Sequence, residues 1–295
     1  MSSGTLVLAL VCVLEAFFDL PYVGATDSDD IDAVTKHLRV FGDSLYQEPS
    51  SEVGDLVNNW DASRTSSNPE ELGTYVEGDI LFPESHISRN GLSSMSYHWP
   101  DGQVPYVISG EFSERDLNTI NEAFAEYHEK TCIQFVKRTD ETDYLDISND
   151  YSGCWSAIGR IGGPQKINLQ SPGCLRKKGT VIHELMHSIG FFHEQSRYDR
   201  DDFVDIQFKN IKSGSENNFL KAEKSIADGM GVEYDYGSIM HYSSHAFTAN
   251  GKPTIVPKKG LVMLGQRRGA SDSDLQKIRN MYHCQKGNEE GDENS

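Results

Sequence analysis

Residues 180–193 read TVIHELMHSIGFFH. On a helix, His183 and His187 are four positions apart and project from one face, so that two imidazole nitrogens can reach one metal ion. Glu184 lies one position further round the helix, where its carboxylate can hydrogen-bond a metal-bound water without being a ligand. Gly190 can adopt a positive φ and end the helix, and a sharp turn then returns His193 to the metal as a third ligand.

Three protein ligands with one open position are typical of a catalytic metal, whereas a structural zinc site supplies four ligands. Imidazole ligands favour one Zn²⁺ ion, without excluding cobalt or copper. The pattern His-Glu-x-x-His arises by chance in roughly a few chains per hundred of this size. The longer pattern that includes Gly190 and His193 arises by chance in about one chain in ten thousand. The alternative, a helix with surface histidines and a glycine cap, is therefore disfavoured.

A second motif, YGSIMHY, occupies residues 236–242, and residues 193–197 read HEQSR. Together with the histidine pattern, these motifs resemble the astacin family of metallopeptidases in the metzincin clan. In isolation, Met240 would indicate core packing and Tyr242 an amphipathic core residue. The resemblance implies that Met240 lies in a tight turn beneath the metal and that Tyr242 is a labile extra ligand.

The resemblance covers roughly residues 90–284 and implies an α+β fold of the metzincin type. Two subdomains would flank a zinc cleft: a twisted mixed sheet with helices above, and an irregular part with a C-terminal helix below.

Periodicity also predicts particular helices and strands. The predicted helices cover residues 113–127, the stretch from about residue 180, and residues 273–282, and the predicted strands cover residues 104–108, 133–136 and 145–148. Tyr198 departs from the family, in which many members have proline.

These residues predict a zinc metalloendopeptidase that hydrolyses protein or peptide substrates. A metal-activated water would attack the scissile carbonyl while Glu184 acts as general base, and the hydroxyl of Tyr242 would stabilise the oxyanion. Cys154, Trp155 and Ser156 resemble the edge strand to which an extended substrate adds, although an ordinary protected edge remains the alternative. Two other classes remain open: a zinc-dependent binding module without turnover, and an exported structural protein held by disulfides.

The N-terminus has the pattern of a secretory signal. An unbroken apolar run covers residues 6–14, and small residues suited to cleavage occupy positions 23–25. Residues 1–25 are therefore predicted to be a signal peptide of a secreted, extracellular protein, with a buried strand as the alternative. No later segment is long and apolar enough for a membrane helix, so no membrane anchor is expected.

The formal charge of −18, from 27 basic and 45 acidic residues, disfavours nucleic-acid partners and an anionic membrane surface. Residues 26–89 alone contain 14 acidic and 4 basic residues. Because this segment is polar and weakly periodic, we expect it to contribute little core and to be extended or only locally helical. It is predicted to be an activation propeptide. Residues 285–295 are acidic and predict a disordered tail.

Residues 75–80, YVEGDI, resemble the propeptide motif of the same family. The resemblance implies that Asp79 occupies the zinc position that the attacking water needs. A carboxylate is a competent zinc ligand, and Gly78 lets the backbone approach a crowded cleft. Without the motif, Asp79 would be interpreted as one of many solvated acids.

Activation of such a precursor requires a cut. Arg89 offers a basic residue at about the family's distance before the catalytic part, so a trypsin-like protease is expected to cleave after it and leave Asn90 as the mature N-terminus. The resemblance implies that the new amino group pairs with Glu194. The alternative is that Glu194 only forms a local cap or salt bridge. The mature protein, residues 90–284 with the tail, is expected to be a monomer.

Five cysteines are present, and Cys12 lies in the predicted signal peptide. The four that remain are an even number in an exported chain, which favours disulfides and leaves three pairings open. The resemblance to the family implies the pairs Cys132–Cys284 and Cys154–Cys174.

Overall fold

A computed structural model of the chain describes residues 37–38, 40–42, 45, 47–82, 98–224, 227 and 229–285. The predicted signal peptide with Cys12, the bond between Arg89 and Asn90, and the acidic tail lie outside these residues. Among the helices that the structure describes, none has the length and apolar character needed to cross a membrane.

Five strands form the main sheet, in the order β2-β1-β3-β5-β4. They are β1 (Gln103–Ile108), β2 (Gln134–Lys137), β3 (Tyr144–Ser148), β4 (Cys154–Ser156) and β5 (Pro164–Leu169). Strands β2, β1, β3 and β5 pair in parallel with their neighbours in that order, and the edge strand β4 pairs antiparallel with β5. The sheet is therefore mixed, and the three predicted strands are confirmed to within one residue at each end.

The helices whose bounds the described residues define are α1 (Ser51–Asn58), α2 (Glu114–Lys130), α3 (Lys178–Ser188) and α4 (Asp272–Met281). Helix α2 begins with a capping box, in which the side chain of Ser113 and that of Asp116 each accept a hydrogen bond from the other's backbone N–H. The helix that carries the histidines begins two residues before Thr180. Tyr127 of α2 donates a hydrogen bond of 2.7 Å to the carbonyl of Ile182 and so ties α2 to α3.

Below the histidines the chain is irregular. Short 3-10 helices and turns surround a two-stranded antiparallel sheet of β6 (Val204–Ile206) and β7 (Ile255–Pro257), which has a hydrophobic cluster of its own. Helix α4 closes this part near the C-terminus. The predicted α+β architecture, a mixed sheet with helices above and an irregular part with a C-terminal helix below, is confirmed.

Two disulfides join distant parts of the chain. Cys132, just before β2, is bonded to Cys284, just after α4. Cys154 of the edge strand is bonded to Cys174 in the loop before α3. Of the three pairings that the cysteine count leaves open, the structure therefore contains the one implied by the resemblance.

The acidic N-terminal segment is packed into the molecule, so the expectation that it contributes little core is wrong. Its buried side chains pack against residues of the later chain as well as against one another, so local composition does not reveal their burial. Some of them join the central core, and others form a cluster with Ile158 and Phe192. The buried hydrophobic side chains of the segment are Leu38, Phe41, Leu45, Val53, Val57, Trp60, Tyr75, Val76, Ile80, Leu81 and Phe82.

Candidate active site

The three predicted metal ligands meet below the sheet. His183 and His187 belong to α3, and their rings lie 4.7 Å apart between centroids. Gly190 has a φ of 112° and donates a hydrogen bond of 2.8 Å to the carbonyl of His187, which ends the helix as predicted. The chain then turns, and the ring of His193 comes within 4.7 Å of His187 and 5.2 Å of His183.

Backbone carbonyls fix the orientation of two imidazoles. Nδ1 of His183 lies 2.9 Å from the carbonyl oxygen of Ile239, and Nδ1 of His187 lies 2.7 Å from that of Phe191. A carbonyl can only accept, so each Nδ1 carries a hydrogen. The lone pair of each neutral ring is therefore on Nε2, the tautomer that a metal ligand with such a partner adopts.

Asp79 of the N-terminal segment faces all three Nε2 atoms. Its Oδ2 lies 3.0 Å from His183 and 3.3 Å from His193, and its Oδ1 lies 3.4 Å from His187. The four ligand atoms lie within 4.8 Å of one another and are buried. The 3.4 Å contact is within ion-pair range but lacks hydrogen-bond geometry. Within the described ranges, Oδ1 of Asp79 and Nε2 of His187 have no hydrogen-bond partner.

When all three imidazoles are neutral with their lone pairs on Nε2, these four ligand atoms are all acceptors and repel one another unless positive charge lies between them. A divalent cation would satisfy all four at once, including the two buried atoms that lack a hydrogen bond. Three imidazoles and one carboxylate are a donor set that suits four-coordinate zinc. The residues present therefore fit the metal that the histidine pattern predicts.

Charge and burial shift the pKa values of the groups in the site in different directions. Burial and the guanidinium of Arg267 lower the pKa of His183 to about 4. Burial also opposes protonation of His193, but the carboxylates of Asp79 and Glu77 outweigh it and raise the pKa of His193 to about 9. The neighbouring imidazoles hold the pKa of Asp79 well below its usual value despite complete burial. Asp79 is therefore in the ionised form that binds a cation.

Glu184 lies beside the first histidine on α3 and is fully buried. Neither of its carboxylate oxygens has a hydrogen-bond partner among the residues that the structure describes. Burial raises the pKa of Glu184, and the nearby charge of Asp79 raises it further. A carboxyl group in such surroundings is suited to taking up a proton and returning it.

The turn at residues 238–241 lies against the histidines. Asp274, at the start of α4, accepts hydrogen bonds from the hydroxyl of Ser238 and from the backbone N–H of Ile239. Met240 is buried, and its carbonyl accepts a hydrogen bond of 3.0 Å from the backbone N–H of Glu194. The turn therefore connects α4 to the residue that follows the third histidine.

Tyr242 lies at the edge of the histidine cluster, with its ring centroid 4.6 Å from that of His193. Its hydroxyl donates a hydrogen bond of 2.5 Å to the backbone carbonyl of Glu77. In this form of the chain, the N-terminal segment therefore binds the hydroxyl.

The predicted substrate edge is paired with the same segment. The backbone N–H of Ser156 donates to the carbonyl of Asp79 at 2.9 Å, and the N–H of Leu81 donates to the carbonyl of Ser156 at 3.1 Å. Ile80 and Ser156 form a parallel bridge. Trp155, the middle residue of β4, is completely buried. This edge therefore accepts an extended chain by adding it as a strand.

Glu194 has local partners on both carboxylate oxygens. Oε2 lies 2.5 Å from Nζ of Lys277, and Oε1 accepts hydrogen bonds from Arg197 at 3.3 Å and from the backbone N–H of Asp235 at 2.9 Å. The local salt bridge considered as an alternative is thus present in this form of the chain, while Asn90 lies outside the described residues.

Several contacts of the N-terminal segment were not foreseen from the sequence. Glu77 accepts a hydrogen bond of 2.7 Å from Nδ1 of His193, and Glu70 forms a fully buried ion pair with Arg267. Glu71 binds the backbone N–H and the hydroxyl of Ser243, each at 2.6 Å. Because Glu77 lies two residues before Asp79, the sequence could have indicated that Glu77 also lies near the histidines. Nothing in the sequence distinguishes Glu70 or Glu71 from solvated acids.

Comparisons with known proteins agree with this geometry. The family model described as Astacin, a family of peptidases, matches residues 91–283. Zinc metalloproteinase nas-13 of Caenorhabditis elegans is 41% identical over 243 residues, which are 82% of this chain and 52% of that protein. Zinc metalloproteinase nas-4 of the same organism is 42% identical over 72% of this chain and 70% of that protein.

A solved structure is also similar to this chain. High choriolytic enzyme 1, a hatching enzyme zinc-protease from Oryzias latipes (medaka fish), is 40% identical, with a TM-score of 0.61, over 65% of this chain and 97% of that one. The fold is thus of the metzincin type, with a buried donor set that suits zinc. The chain belongs to the astacin family, and it spans about half the length of the first curated relative described above.

Proposed function

We propose that this chain is a secreted zinc endopeptidase, made as a zymogen that Asp79 keeps inactive. The observation that carries the proposal is the convergence of three buried imidazole Nε2 atoms on the carboxylate of Asp79. Names of similar proteins, two zinc metalloproteinases and a hatching enzyme zinc-protease, support the same activity. The proposed layout is a signal peptide over residues 1–25, a propeptide over 26–89, a catalytic domain over 90–284 and a tail over 285–295.

His183, His187 and His193 would hold the zinc ion. Bound zinc would act as a Lewis acid that polarises the scissile carbonyl and makes water more acidic. Glu184 takes the proton from the attacking water and delivers it to the leaving amine nitrogen. The hydroxyl of Tyr242 donates a hydrogen bond to the tetrahedral oxyanion.

Latency follows from what the propeptide occupies. The carboxylate of Asp79 lies against the three imidazoles and would take the position on the metal that water needs, and the carbonyl of Glu77 accepts a hydrogen bond from the hydroxyl of Tyr242. The backbone around Asp79 also pairs with Ser156 on the edge strand, where an extended substrate would add. One short segment thus blocks the metal, the oxyanion donor and the substrate edge together.

Activation requires that this segment be cut from the catalytic domain. We place the cut after Arg89, made by a trypsin-like protease, which gives a mature monomer that begins at Asn90. Its new amino group would join Glu194, a carboxylate that already contacts Lys277.

The test measures zinc and casein hydrolysis on purified precursor and on trypsin-treated protein. We expect about one zinc per chain in both, and hydrolysis only after cleavage between Arg89 and Asn90. A fully active uncut precursor, or a mature N-terminus far from Asn90, would overturn the account of latency. Zinc binding without hydrolysis after complete activation would favour a binding module, and absence of metal would favour an exported structural protein.

A further inference from the structure

The described part of the proposed propeptide docks at more than one place, and two of these docking sites lie on either side of an exposed loop. The first, here called the metal end, comprises residues 68–82 and includes Asp79. The second, here called the helix end, is α1 with the residues around it. Val53 and Val57 of α1 are buried in the same core cluster as the edge strand and the loop after β5.

The helix end fits a groove whose floor contains Gly153 and Gly173. A Cβ atom built on Gly153 would lie 2.6 Å from Cγ1 of Val53, and one built on Gly173 would lie 2.4 Å from Cγ1 of Val57. The side-chain amide of Gln170 donates a hydrogen bond of 2.9 Å to the carbonyl of Gly54. A side chain at either glycine would push α1 out of the groove, so the two surfaces are closely matched.

A cut after Arg89 breaks none of these contacts, because Arg89 lies beyond Phe82, the last residue of the metal end. The metal end retains the fully buried ion pair of Glu70 and Arg267, and the helix end retains its groove. Because the two ends are joined covalently, binding of either keeps the other at high effective concentration. Such a linkage can strengthen binding by on the order of 10²–10⁴ over either part alone.

The connection between the two ends is exposed. Residues 62–66 are all exposed and belong to no helix or strand. The side chain of Arg64 is 85% exposed, and its ion pair with Asp61 spans 3.4 Å at the surface, where such pairs contribute little. The backbone N–H of Arg64 bonds the carbonyl of Asp61, and that of Ser63 bonds the side chain of Asp61. The loop can therefore open without disturbing either docking site.

Arg64 is the only lysine or arginine between Gln47 and Phe82, and Thr65 follows it. We propose that Arg64 is a second processing site, and that a trypsin-like cut between Arg64 and Thr65 releases the propeptide after the cut at Arg89. The first cut leaves a non-covalent, still inhibited complex. The second removes the covalent link between the helix end and the metal end. The two are then held together only by non-covalent contacts, such as the hydrogen bond that the backbone N–H of Ser50 donates to the hydroxyl of Tyr75. This inference rests on the proposed function, since it presumes a zymogen.

The test compares four full-length precursors under limited trypsin treatment: wild type, Arg64→Gln, Arg64→Lys and Arg89→Gln. N-terminal sequencing identifies the cuts, size-exclusion chromatography shows whether the propeptide remains bound, and casein hydrolysis reports activity. Arg64→Lys remains cleavable by trypsin and is the matched control for Arg64→Gln.

We expect wild type and Arg64→Lys to lose the propeptide and gain full activity. Arg64→Gln should acquire the Asn90 terminus, retain the propeptide on the column and show at least roughly tenfold less activity. Arg89→Gln should be cut after Arg64 and stay inactive, because its metal end is still covalently attached. Full activation of Arg64→Gln with release of its propeptide would overturn the second site while leaving the zymogen intact. An uncut wild-type precursor with full activity would instead overturn the proposed function itself.

Discussion

Glu184 follows His183 directly on α3, and its buried carboxylate has no hydrogen-bond partner among the described residues. Glu184→Gln keeps the side-chain volume and removes only the ability to take a proton. We expect the mature variant to bind zinc as wild type does and to lose on the order of 10²–10⁴ in turnover. Zinc analysis and casein hydrolysis measure the two effects, with the exposed Glu129→Gln as control. Substantial activity in the zinc-loaded variant would contradict the assigned role.

The hydroxyl of Tyr242 donates a hydrogen bond to the carbonyl of Glu77 in the proposed propeptide, and release of that segment would free it. Tyr242→Phe should lower kcat of the mature enzyme by roughly 10²-fold, because one oxyanion donor is lost, and should change KM little. This loss should be smaller than that of Glu184→Gln. Steady-state kinetics with a peptide substrate measure both constants, and Tyr144→Phe on β3 is the control. An effect confined to KM would count against a role in the transition state.

Glu194 contacts Lys277 and Arg197 before any new N-terminus exists. Lys277 already compensates the buried charge of Glu194, so the amino group of Asn90 should add little stability. We expect a two-residue extension of the mature N-terminus to change the unfolding temperature only slightly in wild type. Lys277→Gln breaks a buried ion pair, which costs about 3 kcal/mol, and should make the extension clearly destabilising. A large effect of the extension in wild type would show that the amino group is the dominant partner.

At the scale of elements, the two disulfides close loops of very different length. Cys132 and Cys284 are 152 residues apart, whereas Cys154 and Cys174 are 20 apart. In the chain-entropy account, the longer loop should stabilise the fold by about 2 kcal/mol more than the shorter one. Urea unfolding of the mature Cys132→Ala/Cys284→Ala and Cys154→Ala/Cys174→Ala variants measures this difference. Peptide mapping without reduction checks the pairing, and a peptide linking Cys132 to Cys154 would refute it.

At the scale of the whole molecule, the N-terminal segment that we propose to be a propeptide contacts the rest of the chain at many points besides Asp79. Asp79→Ala should therefore let the precursor leak activity before any cut, yet leave it at least roughly tenfold below the mature enzyme. That residual inhibition corresponds to about 1.4 kcal/mol of remaining docking free energy. Casein hydrolysis by the uncut variant measures the leak, with the exposed Glu52→Ala as control. A variant precursor as active as the mature enzyme would mean that Asp79 alone maintains latency.

Much of the metal site could be predicted because it is local. The four-residue spacing of His183 and His187 fixes their common face on a helix, and Gly190 ends that helix at the right place for His193. The hydrophobic periodicity that predicts the flanking helices and strands likewise depends only on residues that are close in the sequence. For these features, the order of residues and the geometry of the backbone are sufficient.

The sequence by itself thus predicted the histidine cluster, the main helices and strands, and the acidic character of the N-terminal segment. Only the tertiary structure decided which carbonyls orient the imidazoles, and that the propeptide docks through Val53 and Glu70 as well as Asp79. The contacts of Val53 and Glu70 join residues about a hundred or more positions apart. Whether such a side chain is solvated or buried depends on the surface that the rest of the chain presents. Local composition carries no record of that surface, and the acidic segment therefore looked like one that contributes little core.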